Sequence, residues 1–299
     1  MRLRRRHAIR LLAGVAIAAA APAGAADPLT VYTVNAPLAD FARRLAGEAA
    51  QVVFPVPEGA DPALWRPSIS EVSDYQSADL ILLNGAGYAQ WTAKTSLPRS
   101  RTVDTSRGFA DDLIPVDGVV HSHGAEGEHS HAGTASITWL DFTQAGEQAR
   151  AVAEALQLRL PEQADTIAAN LAILERDLAA LDLEAQRLGA AAAGLRIVAS
   201  HPRYQYFARA YGLDVVNLQW DPGEAPTPEQ WAELEALRAD KDTRLMLWEA
   251  EPLPGTRDRL QAEGMQVVLF PTLAAASGDF VTLARENLAR LVTALAALP

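Results

Sequence analysis

The chain has 299 residues, no cysteine, and 37 acidic side chains against 26 basic ones, for a formal net charge of -11. The absence of cysteine excludes disulfides, thiolate metal sites and cysteine nucleophiles. The acidity is a poor match to nucleic-acid phosphates, which need a basic face, and 49% hydrophobic with 21% charged residues points to a folded globular protein.

The first segment is a targeting signal by pattern. Arg2, Arg4, Arg5, Arg6 and Arg10 make a basic head, Leu11 to Ala21 is apolar, and Ala23-Gly24-Ala25 is a small-residue cleavage pattern. The apolar run falls short of the roughly 20 residues that span a bilayer. Residues 1–26 are therefore expected to be a signal peptide, with Arg5-Arg6 a loose match to twin-arginine export. The Arg-rich head has a bacterial look, so the expected destination is the periplasm. Without this segment the balance is 21 basic to 37 acidic and the net charge -16. That surface suits a cationic ligand, although acidity by itself mostly reports solubility.

Strand-like and helix-like segments then alternate. Leu29–Val34, Gln51–Val56, Asp79–Asn84 and Arg101–Asp104 are short apolar or β-branched runs, with helical patterns over Pro37–Ala49, Ser68–Ser77 and Tyr88–Thr95. The rhythm returns with strands at Leu195–Ser200, Asp214–Gln219, Thr243–Trp248 and Met265–Phe270. Helices are expected over Pro202–Tyr211, Pro228–Ala239, Pro254–Glu263 and Gly278–Leu298. Pro228 fits the first position of its helix, where a missing N–H costs nothing. Between the halves, Ile167, Leu171, Leu174, Leu178, Leu181 and Leu188 keep one helical face. The run Pro161–Leu188 measures about 42 Å as a helix. The expected fold is α/β: two lobes, each a four-stranded mostly parallel sheet flanked by helices, joined by one long linker helix. The boundaries are 27–159, 160–189 and 190–299.

Four of the histidines crowd one loop, residues 121–131: His121, His123, His129 and His131, with Gly124, Glu126, Gly127 and Glu128 between the pairs. A His-x-His pair in extended backbone puts both rings on one side, and neutral imidazole suits zinc, copper and nickel. The alternative is a solvated polar loop that collects metal weakly, since a flexible site loses chain entropy on binding. His201 begins the turn after the strand Leu195–Ser200, at the edge where α/β sheets place their ligands. Glu249 reaches the same edge as an oxygen ligand or as the group that orients one, with Glu224 a weaker candidate on the neighbouring loop. Trp65, Trp139, Trp220, Tyr204 and Tyr206 either line an aromatic cleft for a metal chelate or organic cation or pack the lobe interface.

From Leu29 to Leu298 the sequence resembles the zinc- and manganese-type solute-binding proteins of bacterial ABC importers. The resemblance rests on Pro57-Glu58-Gly59-Ala60-Asp61-Pro62, Ser77-Ala78-Asp79-Leu80, Trp139-Leu140-Asp141, Tyr204 through Leu213, and Gly278-Asp279-Phe280 through Asn287-Leu288. It implies a periplasmic receptor, expected to be monomeric, that captures a divalent metal ion in the cleft between the lobes and delivers it to an ABC permease and ATPase complex. Zinc is the expected cargo ahead of manganese. The family holds metal with three histidines and a carboxylate. His201 matches the third ligand, while Ala63, Ile137 and Phe270 stand at the other three positions. Two other readings stay open: a receptor of the same fold for a metal chelate or other solute, and a periplasmic metal chaperone or store acting through the histidine loop. No His-Glu-x-x-His or Gly-x-Ser-x-Gly motif is present, so no enzyme is expected.

Overall fold

A computed structural model describes residues 27–116 and 133–298. The signal segment and the loop histidines His121, His123, His129 and His131 lie outside the described residues.

The first lobe is a parallel sheet of β1 (Leu29–Thr33), β2 (Ala50–Val53), β3 (Leu80–Leu83) and β4 (Thr102–Asp104), in the order β2-β1-β3-β4. Helix α1 (Ala36–Ala46) joins β1 to β2, and α2 (Ile69–Ser77) leads into β3. Asn35 caps α1 by accepting from Leu38 N, and Ser68 with Glu71 forms a capping box on α2. A two-stranded antiparallel ribbon, β5 (Pro115–Val116) with β6 (Gly133–Thr134), closes this part.

The second lobe repeats the topology. Strands β7 (Arg196–Ala199), β8 (Asp214–Asn217), β9 (Thr243–Trp248) and β10 (Gln266–Leu269) lie parallel in the order β10-β9-β7-β8. Read from the first strand of each lobe, the two orders are the same. Each sheet therefore changes winding direction between its first and third strands, which puts a crevice at their carboxyl ends. Helices α5 (Gln205–Tyr211), α6 (Pro228–Asp240), α7 (Pro254–Ala262) and α8 (Phe280–Ala296) cover the lobe or return along the linker.

Helix α4 (Ala164–Ala191) is the 28-residue strut. Its buried residues Ile167, Leu174, Leu178, Leu181, Ala185 and Leu188 form the expected stripe, and it packs on α3, α1, α8 and α5. A single core runs through both lobes by way of this helix, with a smaller cluster of Trp220, Trp231, Trp248, Met246 and Leu260 on the far face of the second sheet. Among the described residues no helix is long and apolar enough to cross a membrane.

One helix departs from the sequence reading. α3 (Phe142–Arg159) has no counterpart among the expected elements. Its buried face is built largely from Ala145, Ala149, Ala153 and Ala155, so the apolar contrast that marks an amphipathic helix is faint. Its start is nonetheless written locally: Asp141 accepts from Thr143 N and Gln144 N as the cap. The stretch expected as a helix over Tyr88–Thr95 is a short 3-10 turn, Gln90–Lys94.

Candidate metal-importer cleft

Buried polar residues join the strand ends of the first lobe to one another. After β1 and β3, Asn35 donates to Asn84 Oδ1 at 3.2 Å, and Gln148 of α3 donates to the same oxygen at 3.1 Å and to Thr105 Oγ1 at 2.9 Å. All four are buried. A polar network in such a site holds only when its members satisfy one another. It ties the ends of two strands to the helix absent from the sequence reading.

On the opposite side the turn after β10 forms the cleft wall. Leu273 has φ +65°, a left-handed conformation that a side chain with a Cβ takes at a cost. Its neighbours hold it there. Pro271 O accepts from Asn287 Nδ2 at 2.8 Å, Thr272 O from Trp139 Nε1 at 2.6 Å, and Ala274 O from Ala36 N at 2.8 Å. The wall is thus pinned by α8, by the Trp139-Leu140-Asp141 motif and by the start of α1.

The cleft between the lobes has a volume of about 370 Å³. Its lining is mostly Pro and Ala with Ile137 and Leu273, and its charged groups are Asp61, Arg203 and Glu249. Arg203 lies between the two carboxylates, 2.8 Å from Asp61 Oδ2 and 3.2 Å from Glu249 Oε2. Asp61 belongs to the first lobe, where its other oxygen accepts from Ala63 N at 2.9 Å. Glu249 follows β9 in the second. Burial pushes the Glu249 carboxyl up, and Arg203 offsets part of that effect. For Arg203 burial works against the charge, but Glu249 and then Asp61 outweigh it and hold the guanidinium above its usual value. The Tyr88 hydroxyl is buried without a hydrogen-bond partner among the described residues. Its pKa is raised well above the usual phenol value, first by burial and then by Asp61.

The sequence-derived candidates separate in space. His201 lies at the end of β7, at the second lobe's crevice, with Nδ1 3.8 Å from Asp221 Oδ1. It is not part of the cleft lining, whereas Arg203, two residues on, is. Glu249 does line the cleft and is paired with Arg203. Glu224 sits in the turn after Asp221. Ala63 and Phe270 are buried, at 6% and 1% exposure. Phe270 packs on Tyr204 and Phe207, so that position serves the core. Among the described residues no three His, Asp or Glu side chains gather as a metal-holding group.

The five aromatic candidates are engaged in packing. Trp139, Tyr204 and Tyr206 are buried in packing, Trp220 meets Trp231 and Trp248 edge to face, and Trp65 meets Trp91 the same way. None of the five lines the cleft.

Asp61 and Arg203 were the residues missed. Both sit in or beside stretches that carried the resemblance, but nothing in the sequence signals that two residues 142 positions apart form an ion pair. The root of the histidine loop is also fixed. Tyr206 Oη accepts from Ile114 N at 3.1 Å and donates to Ala135 O at 2.9 Å, pinning both sides of the β5/β6 ribbon to α5. Arg209 adds a bond to Asp112 O at 2.6 Å.

Two α/β lobes of the same topology, joined by a strut helix, face each other across a cleft at the carboxyl ends of their strands, the place where two-lobe α/β proteins take up ligands. The chain belongs to the ZnuA family, described as zinc-uptake complex component A periplasmic, which matches residues 31–294. It is therefore a solute-binding protein of the metal ABC importer type.

It is 30% identical over 224 residues to the manganese ABC transporter substrate-binding lipoprotein PsaA of Streptococcus pneumoniae, covering 72% of this chain and 70% of that one. It is 27% identical over 213 residues to the zinc-binding lipoprotein AdcA of the same species, covering 69% of this chain and 42% of that one. The iron ABC transporter substrate-binding lipoprotein MtsA of Streptococcus pyogenes is 28% identical over 233 residues, covering 74% and 72%. Among solved structures, the metal-dependent lipoprotein YcdH of Bacillus subtilis superposes with a TM-score of 0.75 at 20% identity, over 88% of this chain and 97% of that one. A ZnuA crystal structure gives 0.70 at 21%, over 91% and 99%. At these identities the superpositions speak for the fold.

Proposed function

We propose that the chain is the periplasmic substrate-binding component of an ABC importer, that its cargo is zinc, and that it hands the ion to a membrane permease and its ATPase. His201 and the paired histidines His121, His123, His129 and His131 supply the nitrogen ligands. Glu249 adds an oxygen when Arg203 releases it. The observation that carries this reading is the Tyr206 staple: it roots the histidine loop on α5, which begins four residues after His201. A loop anchored there starts close to the second lobe's crevice and loses less chain entropy on reaching it.

Equilibrium dialysis of the purified chain against zinc tests this. Uptake of about one ion per chain at micromolar zinc is expected. His201→Ala and deletion of residues 121–131 should each weaken it. A chain that takes up no zinc at micromolar metal would end this assignment.

A second reading is favoured by the Arg203 ion pair and the apolar lining: a receptor for a metal already held by a chelator, or for another solute. A small molecule that co-purifies with the chain and stays bound after loop deletion would select it.

A further inference from the structure

The cleft already contains a cation. Arg203 lies between Asp61 of the first lobe and Glu249 of the second, 2.8 and 3.2 Å away, with its side chain 21% exposed. The carboxylates are themselves only 30% and 20% exposed. Two carboxylates with this little access to water repel each other unless a positive charge lies between them. The guanidinium supplies that charge and, through Asp61, spans the lobes. Tyr88 is 2% exposed, its hydroxyl has no hydrogen-bond partner among the described residues, and its pKa responds to the charges of Asp61, Arg203 and Glu249. That hydroxyl has unused capacity to donate or accept.

We infer that Arg203 is a tethered cation that takes the bridging place a metal ion would otherwise fill, and that it sets the specificity of the cleft by competing with free divalent cations for Asp61 and Glu249. The triad carries a net charge of -1. Without the arginine the two carboxylates carry -2, the charge a divalent ion neutralises, and they offer hard oxygen donors of the kind manganese prefers. An incoming ion must displace a fixed guanidinium with several donors, whose effective concentration is high because it belongs to the same chain. The inference goes beyond the zinc reading and does not depend on the histidine loop, whose imidazoles favour zinc.

Manganese titration of the full chain, read by the EPR signal of the free ion, tests it. Arg203→Gln should bind manganese at least about tenfold more tightly than the parent, and adding Asp61→Asn should abolish the gain. Arg203→Lys, which keeps a tethered charge, should stay near the parent. Equal affinity in Arg203→Gln and the parent, or an equal gain in Arg203→Lys, overturns the proposal. Far-UV circular dichroism checks that the variants fold. Should Arg203→Gln fail to fold, Arg203→Met, an uncharged side chain of similar length, decides in the same titration: a gain of at least about tenfold over the parent is expected, and no gain overturns the proposal. Zinc uptake by the parent is a separate measurement. A parent that takes up zinc while Arg203→Gln gains no manganese site defeats this inference alone, and the reverse result defeats the zinc reading alone.

Discussion

Trp139 reaches from the first lobe to donate its indole N–H to the carbonyl of Thr272 in the second, 2.6 Å away. The ring is fully buried, with Tyr88 edge-on at 5.2 Å. Thr272 precedes Leu273, whose left-handed backbone is costly and needs its neighbours held. One side chain thus links the lobes and restrains the cleft wall.

Trp139→Phe keeps most of the apolar area and deletes the N–H. The Thr272 carbonyl loses its donor in a part-buried setting, and the expected loss of stability is about 1–3 kcal/mol. Urea denaturation measures it. A variant within experimental error of the parent would show that the bond contributes nothing to the wall.

The strut helix allows a paired comparison. Leu178 is 2% exposed on the stripe against the core, whereas Leu183 is 53% exposed on the same helix. Leu178→Ala should cost about 2–5 kcal/mol, for lost transfer energy and the cavity left behind. Leu183→Ala should stay within about 0.5 kcal/mol. Equal losses would mean that the helix contributes through length and propensity, not through its buried face.

Asp141 gives a pH-dependent prediction. Burial raises its carboxyl pKa, and the N–H bonds from Gln144 and Thr143 only partly offset this. A carboxyl held above its unfolded value binds its proton more tightly in the folded chain. Its contribution is therefore complete below the unfolded value of about 3.9 and declines as pH rises through the folded value. Asp141→Asn keeps an acceptor for the helix cap and has no proton to lose. Its stability should fall less than the parent's between about pH 4 and pH 7. Asp141→Ala loses the cap and should cost about 1 kcal/mol. Denaturation midpoints across that range decide, and an Asn variant no better than Ala would rule out burial of the charge as the governing cost.

How much of this was readable in the chain depends on the kind of signal. The strands were legible because β1, β3, β7 and β9 are apolar runs closed by polar or turn residues. α4 was legible because its stripe is leucine and isoleucine. α3 was not, because alanine packs a helix closely while giving little contrast in hydropathy, and only the cap at Asp141 marks it. In the cleft, a histidine such as His201 stands out in any sequence, while Asp61 and Arg203 are common residue types. Their pairing is a product of how the lobes face each other.

Gly189 separates local propensity from tertiary packing. It sits in the last turns of α4, where a glycine-to-alanine change ordinarily stabilises a helix by up to about 1 kcal/mol. Here the helix passes directly over the end of α5. A Cβ on Gly189 would lie 2.0 Å from the carbonyl oxygen of Tyr211 and 3.2 Å from its Cβ. That oxygen belongs to backbone and cannot rotate away as a flexible side chain would, so α4 or α5 must shift. Tyr211 in turn donates to Asp182 of α4 at 3.0 Å and accepts from Phe142 N at 3.0 Å, contacts that such a shift would strain. Gly189→Ala is therefore expected to destabilise the chain by about 1–3 kcal/mol, against the sign of its helix propensity. An increase in the thermal midpoint would show that α4 and α5 yield at this crossing, and that the glycine is not needed for their approach.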